Sequence, residues 1–334
     1  MRDTAGGIIW RSPVILLSLP DVILSWPRYQ DGLPAGVRMT AALIPTDAAR
    51  DISYSASAKS APGRAMIRTL EAVGGRSKLI RRAAGYEAEL ARGRSFWQVM
   101  PERYGLSLDV VGGALADIPV KGALVLVSNH PYGILDGLMM GHLLDRVRGD
   151  FRILANSVFV RSEELRRVVL PISFDETKAA LALNLQTRAA ALEYLGQGGA
   201  IGVFPGGTVS TAAKLFSRPM DPSWRNFTAK MIVKSGATVV PIFFDGQNSR
   251  LFQIVSHVHS ALRLGLLVKE FKARLDQPVR VVVGRPLDAS TLAAHAGDAT
   301  AMMDFLRKAT YQLSPQPMRS YAYGHEFEAK YRTR

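Results

Sequence analysis

The chain has 334 residues, 48% of them hydrophobic, and no cysteine. It is long enough for one large domain with a substantial core, and it excludes disulfides, thiolate metal sites and a cysteine nucleophile. A formal net charge of +14 favours anionic partners such as nucleic acid, an anionic membrane face or an acidic carrier, but with only 8% aromatics and no recognition helix rich in Arg and Asn, nucleic acid is not expected.

The first apolar stretch runs from Ile8 to Trp26. Arg11, Pro13, Pro20 and Asp21 interrupt it, whereas a span needs about 20 mostly apolar residues, so no transmembrane helix is expected there. It has no clean small-residue cleavage site for a signal peptide. Met39 is an alternative start, which leaves open whether residues 1–38 belong to the natural protein. Residues 1–62 read as a flexible extension, Ala/Ser/Asp-rich over its second half.

Residues 63–104 read as a basic amphipathic helical segment. Leu79, Ile80, Ala83, Leu90, Phe96, Trp97 and Met100 stand among many Arg and Lys. Such a segment can lie on a bilayer surface or pack on the main domain.

Residues 105–313 alternate strand and helix. "LSLDVVGG" and the buried "GALVLVSN" read as strands, followed by a helix at "DGLMMGHLLDRV". "FRILAN" is a strand, "RSEELRRVVLPIS" a short helix and a strand, and "TKAALALNLQTRAAALEYLGQG" a long helix closed by Gly. "AIGVFPGG" is a strand entering a Gly-rich turn, and "WRNFTAKMIVKSG" is a helix. "TVVPIFFDG" and "VRVVVGRPL" are strands, and the Pro inside the former suggests a strand end or edge. This pattern predicts an α/β fold with a mixed, largely parallel sheet flanked by helices. Residues 314–334 form a C-terminal tail.

Three stretches carry chemistry-bearing residues. In "VSNHPYGILDG" (127–137), His130 follows a strand, and Pro131 and Gly133 place it in a loop. Asp136 can cap the next helix or fix the tautomer of His130, leaving the other ring nitrogen as a base; the spacing alone permits both. In "IGVFPGGTVS" (201–210), a turn offers the backbone N–H groups of Gly206, Gly207 and Thr208 to an oxyanion or phosphate, but the P-loop pattern is absent. "VVPIFFDG" (239–246) says nothing of function by itself. His257 and His259 form an H-x-H pair with no acidic cluster beside it, and no metal is expected.

Together, in this order, the three resemble the motifs of the glycerolipid acyltransferase family, the lysophosphatidic-acid acyltransferase type: Asn-His-x4-Asp, Phe-Pro-Glu-Gly-Thr and a Val-Pro-Ile/Val strand. "NSVFVR", ending at Arg161, sits where the family has Phe-x-x-Arg, and "VVVGRPL" resembles the strand that ends its domain. The resemblance covers about residues 105–287. The His-to-Asp gap is one residue longer here, as in the bacterial branch with the NHPxGxLDG motif, which includes hemolysin-like and ornithine-lipid acyltransferases. Gly206 stands where the family has Glu.

The resemblance implies an O-acyltransferase that moves a fatty acyl group from an acyl thioester, acyl-CoA or acyl-carrier protein, to the hydroxyl of a lysolipid, either a lysophospholipid or a lyso-aminolipid. His130 and Asp136 would be the catalytic base and its orienting carboxylate. Gly206, Gly207 and Thr208 would supply the oxyanion site, and Asn129, Arg161, Lys214, Arg218 and Arg225 would contact substrate. No cofactor is expected beyond the acyl-CoA or acyl-carrier co-substrate. The resemblance also implies a cytoplasmic protein, peripheral on the inner face of the cytoplasmic membrane and in contact with its anionic surface. A weakly catalytic lipid-binding scaffold and an acyl-thioester hydrolase are the rival readings.

Overall fold

The computed structural model describes residues 53, 55, 58, 60–160, 163–328 and 331–332. The chain divides into Met1–Ile44 and Pro45–Arg334, and every described residue belongs to the second unit. The Ile8–Trp26 stretch and Arg161 lie outside the described residues.

A seven-stranded sheet organises the unit. Its strands are β1 (Ser107–Gly112), β2 (Leu124–Ser128), β3 (Arg152–Asn156), β4 (Val169–Ile172), β5 (Ala200–Val203), β8 (Thr238–Phe244) and β9 (Pro278–Val283); the short β6 (Thr211–Ala212) and β7 (Pro219–Met220) pair apart from it. The order across the sheet is β1-β9-β8-β2-β5-β3-β4. All its pairings are parallel except β8 with β9. The expected mixed, largely parallel sheet is therefore present.

Among the described residues twelve helices accompany it: α1 (Ala61–Gly74), α2 (Arg76–Ala83), α3 (Tyr86–Leu90), α4 (Phe96–Arg103), α5 (Ile134–Arg148), α6 (Glu163–Val168), α7 (Lys178–Gly196), α8 (Asn226–Ser235), α9 (Arg250–Val258), α10 (Ser260–Lys272), α11 (Ala289–Leu292) and α12 (Ala299–Gln312). Alternation along the strands sorts the core into two layers. Leu124, Leu126, Val240 and Ile242 pack with side chains of α2 to α5 and α10. Val125, Val127, Ile201 and Val239 pack with α7, α8 and α12.

One open alternative is resolved and one expectation is corrected. The apolar face of residues 63–104 is not left for a bilayer: Leu79, Ala83, Trp97 and Met100 are buried in the same core cluster as Leu126 and Val240. Helical periodicity marks a face that needs burial and is silent on whether protein or lipid covers it. The helices fit closely, since a Cβ on Gly141 of α5 would lie 2.0 Å from the Trp97 ring of α4. Second, Pro241 marks neither an end nor an edge of the sheet. β8 is central, and Pro241 pairs in register with Val127 of β2. On its other side the ladder jumps from Ile242↔Val283 to Val239↔Leu287, three steps along β8 against four along the partner. Proline's missing N–H falls in that irregularity, where no ladder bond is required of it.

Among the described residues no helix is long and apolar enough to cross a membrane.

Candidate active site

β2 and β5 are parallel neighbours, so the loops leaving their C-terminal ends meet. One carries His130 to Gly133 and leads into α5 with Asp136, and the other carries Pro205 to Ser210. Backbone bonds join them: Ser210 N–H donates to His130 O at 2.8 Å.

His130 stacks on Phe204, with ring centroids 4.3 Å apart and planes 26° off parallel. Its Nδ1 lies 2.9 Å from Asp136 Oδ2, close but angled away from the ideal N–H direction. Asp136 is fully buried, and its Oδ2 also accepts the N–H groups of Tyr132 (2.7 Å) and Gly133 (2.9 Å). Gly133, not Asp136, is the N-cap residue of α5, with φ 92° in the region that favours glycine. Asp136 sits in the first turn and reaches back to the two donors before it. One oxygen of this carboxylate thus both caps the helix and stands against the imidazole. Burial pushes the Asp136 carboxyl up from its ordinary value, and His130 and the two N–H groups pull it back.

A cavity of about 330 Å³ opens on the His130 ring. Apolar side chains of α4, α5, β3, β5 and α10 wall it, among them Trp97, Leu138, Ile153 and Leu267, and Thr208 and Arg263 add polar groups. Arg263, on α10, is only 7% exposed and donates to Thr208 Oγ1 and Val209 O, both at 2.9 Å. The sequence reading missed it, though a lone cation in the apolar run Ala261–Val268 was a legible signal.

The other expected site residues fall in different places. In the turn, Gly207 adopts φ 68° and its N–H is taken by Phe204 O at 3.0 Å. Gly207 and Thr208 line the cavity, whereas Gly206 is buried against Asp221, 3.3 Å from where a Cβ would stand. Asp221, also unforeseen, is buried; it accepts from the Ser210 hydroxyl, His130 N–H (3.2 Å) and Trp224 Nε1 (2.9 Å).

Asn129 is not poised for substrate. Its amide donates to Phe244 O (3.0 Å) and accepts from Phe244 N–H (2.8 Å), which fastens the end of β2 to β8. Nor is Arg225, which forms a fork on Glu326 at 2.8 and 2.9 Å and reaches Glu328 at 3.2 Å, both in the C-terminal tail. Lys214 and Arg218 are exposed on the β6–β7 loop, outside the cavity lining. His257 places Nε2 2.9 Å from Ala212 O and meets the His325 ring edge-on rather than His259. No group of three or more metal-binding side chains occurs among the described residues.

His130 and the buried Asp136 thus stand together beside a mostly apolar cavity that Thr208 and Arg263 also line. Residues 69–316 match the family model described as acyltransferase, and the chain belongs to that family and is an acyltransferase. Two similar curated proteins are both lyso-glycine lipid O-acyltransferases. That of Phocaeicola vulgatus is 23% identical over 206 residues, 60% of this chain and 71% of the relative. That of Bacteroides thetaiotaomicron is 26% identical over 207 residues, 60% and 72% respectively. Among solved structures, the 1-acyl-sn-glycerophosphate (LPA) acyltransferase PlsC of Thermotoga maritima aligns at 17% identity and TM-score 0.39, covering 72% of this chain and 88% of that one.

Proposed function

We propose that this acyltransferase moves a fatty acyl group from an acyl thioester, carried by coenzyme A or acyl-carrier protein, to the hydroxyl of a lysolipid. The observation that carries the reading is the His130–Asp136 pair facing an apolar cavity of about 330 Å³. The names of the two curated relatives support a lysolipid acceptor.

Asp136 holds the ring with Nδ1 turned inward, which leaves Nε2 to take the proton of the acceptor hydroxyl. The hydroxyl oxygen attacks the thioester carbonyl. The tetrahedral intermediate collapses, the C–S bond breaks, and the leaving thiolate takes the proton back from His130. An ester and a free thiol result, with no acyl-enzyme. Thr208 Oγ1 accepts from Arg263, so the Thr208 hydroxyl proton can point at the developing oxyanion together with the Thr208 N–H. The Arg263 charge suits an acceptor with an anionic headgroup. Lys214 and Arg218, on the exposed loop, are left for carrier or surface phosphates.

The test incubates the purified chain with acyl-CoA or acyl-carrier protein and a panel of lysolipids. A diacyl product supports the reading. Free fatty acid formed without an acceptor makes the protein a hydrolase, and binding without turnover makes it a scaffold.

A further inference from the structure

Helix α9 is apolar on the side where a surface helix is ordinarily polar. Its inner side buries Phe252, Gln253 and Ser256. Gln253 Oε1 accepts the Ala212 N–H at 3.0 Å, and His257 Nε2 lies 2.9 Å from Ala212 O, which docks α9 on β6. Leu251, Ile254 and Val258 fall within about 60° of one another around the helix, on the opposite side. They are 46%, 42% and 70% exposed. The loop that leaves β6 at Ala212 carries Leu215 (48% exposed) and Phe216 (82%) between Lys214 and Arg218. A helix and a loop joined through one strand thus present five large apolar side chains to the outside.

The two segments that carry them have charge of one sign. From Gly206 to Met220, and again from Gly246 to Lys269, the chain has no acidic residue, although it holds 28 Asp and Glu in all. Lys214, Arg218 and Arg250 are exposed cations flanking the apolar side chains. The patch also adjoins the cavity: Thr208 and Val209, which line it, run directly into β6, and Arg263 lies one turn beyond α9. Apolar side chains rimmed by cations match an anionic bilayer, whose acyl region takes the former and whose headgroups take the latter.

We propose that α9 and the β6–β7 loop form the membrane-contact face, with Phe216, Leu215, Leu251, Ile254 and Val258 inserted below the headgroups. This surface replaces residues 63–104 in that role. The choice of a bilayer over another occupant rests on the lysolipid reading above.

A chain without cysteine allows the test. Phe216→Cys, Ile254→Cys and, as control, Val120→Cys are each labelled with an environment-sensitive fluorophore. Val120 is 65% exposed and precedes β2, at the opposite end of the sheet from His130. The full-length proteins are mixed with vesicles of equal parts phosphatidylcholine and phosphatidylglycerol, without lysolipid or acyl donor. The expected result is a blue shift and a several-fold rise in emission at positions 216 and 254, absent at 120 and weaker on pure phosphatidylcholine. Labels at 216 and 254 that stay in water while the protein pellets with vesicles overturn the proposal. So does a concentration-dependent shift without vesicles, which makes the face a contact between copies. Insertion without turnover on any lysolipid would remove the proposed function and leave this face standing.

Discussion

One oxygen of Asp136 serves both the start of α5 and the imidazole of His130. Oδ2 takes the Tyr132 and Gly133 N–H groups and stands 2.9 Å from His130 Nδ1. Asp136→Asn keeps the shape and removes the charge. Its kcat/KM for acyl transfer is expected to fall on the order of 10²- to 10⁴-fold, with about 1 kcal/mol of stability lost with the cap. His130→Ala is expected to lose as much rate with little change in Tm. Thermal unfolding beside steady-state kinetics separates the two roles, and a folded His130→Ala variant that still turns over excludes the mechanism.

The same carboxylate gives activity and stability opposite responses to acid. In the proposed mechanism the ionised form braces His130, and burial raises the pKa above the ordinary 3.8. The loss of kcat/KM on acidification therefore begins at a higher pH than an ordinary carboxylate would set. For folding the sign reverses. A raised carboxyl pKa contributes stability that is complete below the unfolded value and lost as pH rises through the folded one. Removing the ionisation with Asp136→Asn is expected to flatten that part of the Tm–pH curve. A parent acid limb at the ordinary carboxylate value contradicts the assignment.

Arg225 and Glu326 form a partly buried pair, each side chain 12% exposed, that ties the C-terminal tail to the start of α8. Gly324 and His325 add backbone bonds to Asp221 O and Thr211 O, both at 2.9 Å. Arg225→Met is expected to cost about 2 kcal/mol, since it leaves Glu326 half-buried without its partner. The KM for the lysolipid should not change. A rise in KM without loss of Tm would return Arg225 to the substrate.

Arg263 and Thr208 are expected to behave as a unit toward the acceptor. Charge-assisted hydrogen bonds contribute about 1.5–3 kcal/mol, so Arg263→Met should weaken kcat/KM for an anionic lysolipid roughly ten- to hundred-fold. A monoacylglycerol, which has no charge for the guanidinium to hold, should lose only the part owed to Thr208. Arg263→Lys should recover part of the difference. Equal losses for both acceptors would assign Arg263 to the oxyanion side alone.

What could be read from the chain depends on the range of each interaction. β2, β5, β8 and β9 were legible because a largely buried strand is a local apolar run, and the His130 turn was legible from Pro131 and Gly133. The fork on Arg225 was not, because Glu326 lies 101 residues away. Asp221 meets His130 from 91 residues away for the same reason. Pro241 was misplaced because the irregularity that tolerates it belongs to the β9 side of the ladder. The basic segment was left open between bilayer and protein because periodicity does not say what covers a face, and α9 is the converse case, with Leu251, Ile254 and Val258 apolar on its outer side.

Gly137 tests how the cavity measures its occupant. It is next to Asp136 on α5 and lines the cavity, and a Cβ built there meets nothing within 4 Å. A larger side chain at 137 therefore enters open space rather than the core. Replacing a helical glycine also stabilises α5, by about 0.5–1 kcal/mol on the scale of glycine against alanine. Gly137→Leu is thus expected to fold at least as well as the parent while filling part of the cavity. If the cavity holds the acyl chain, preference should move to shorter chains, because each methylene kept out of the wall forfeits about 0.8 kcal/mol of burial. Competition between acyl thioesters of different length reads this directly. An unchanged chain-length profile in a stable variant would show that the acyl chain lies elsewhere.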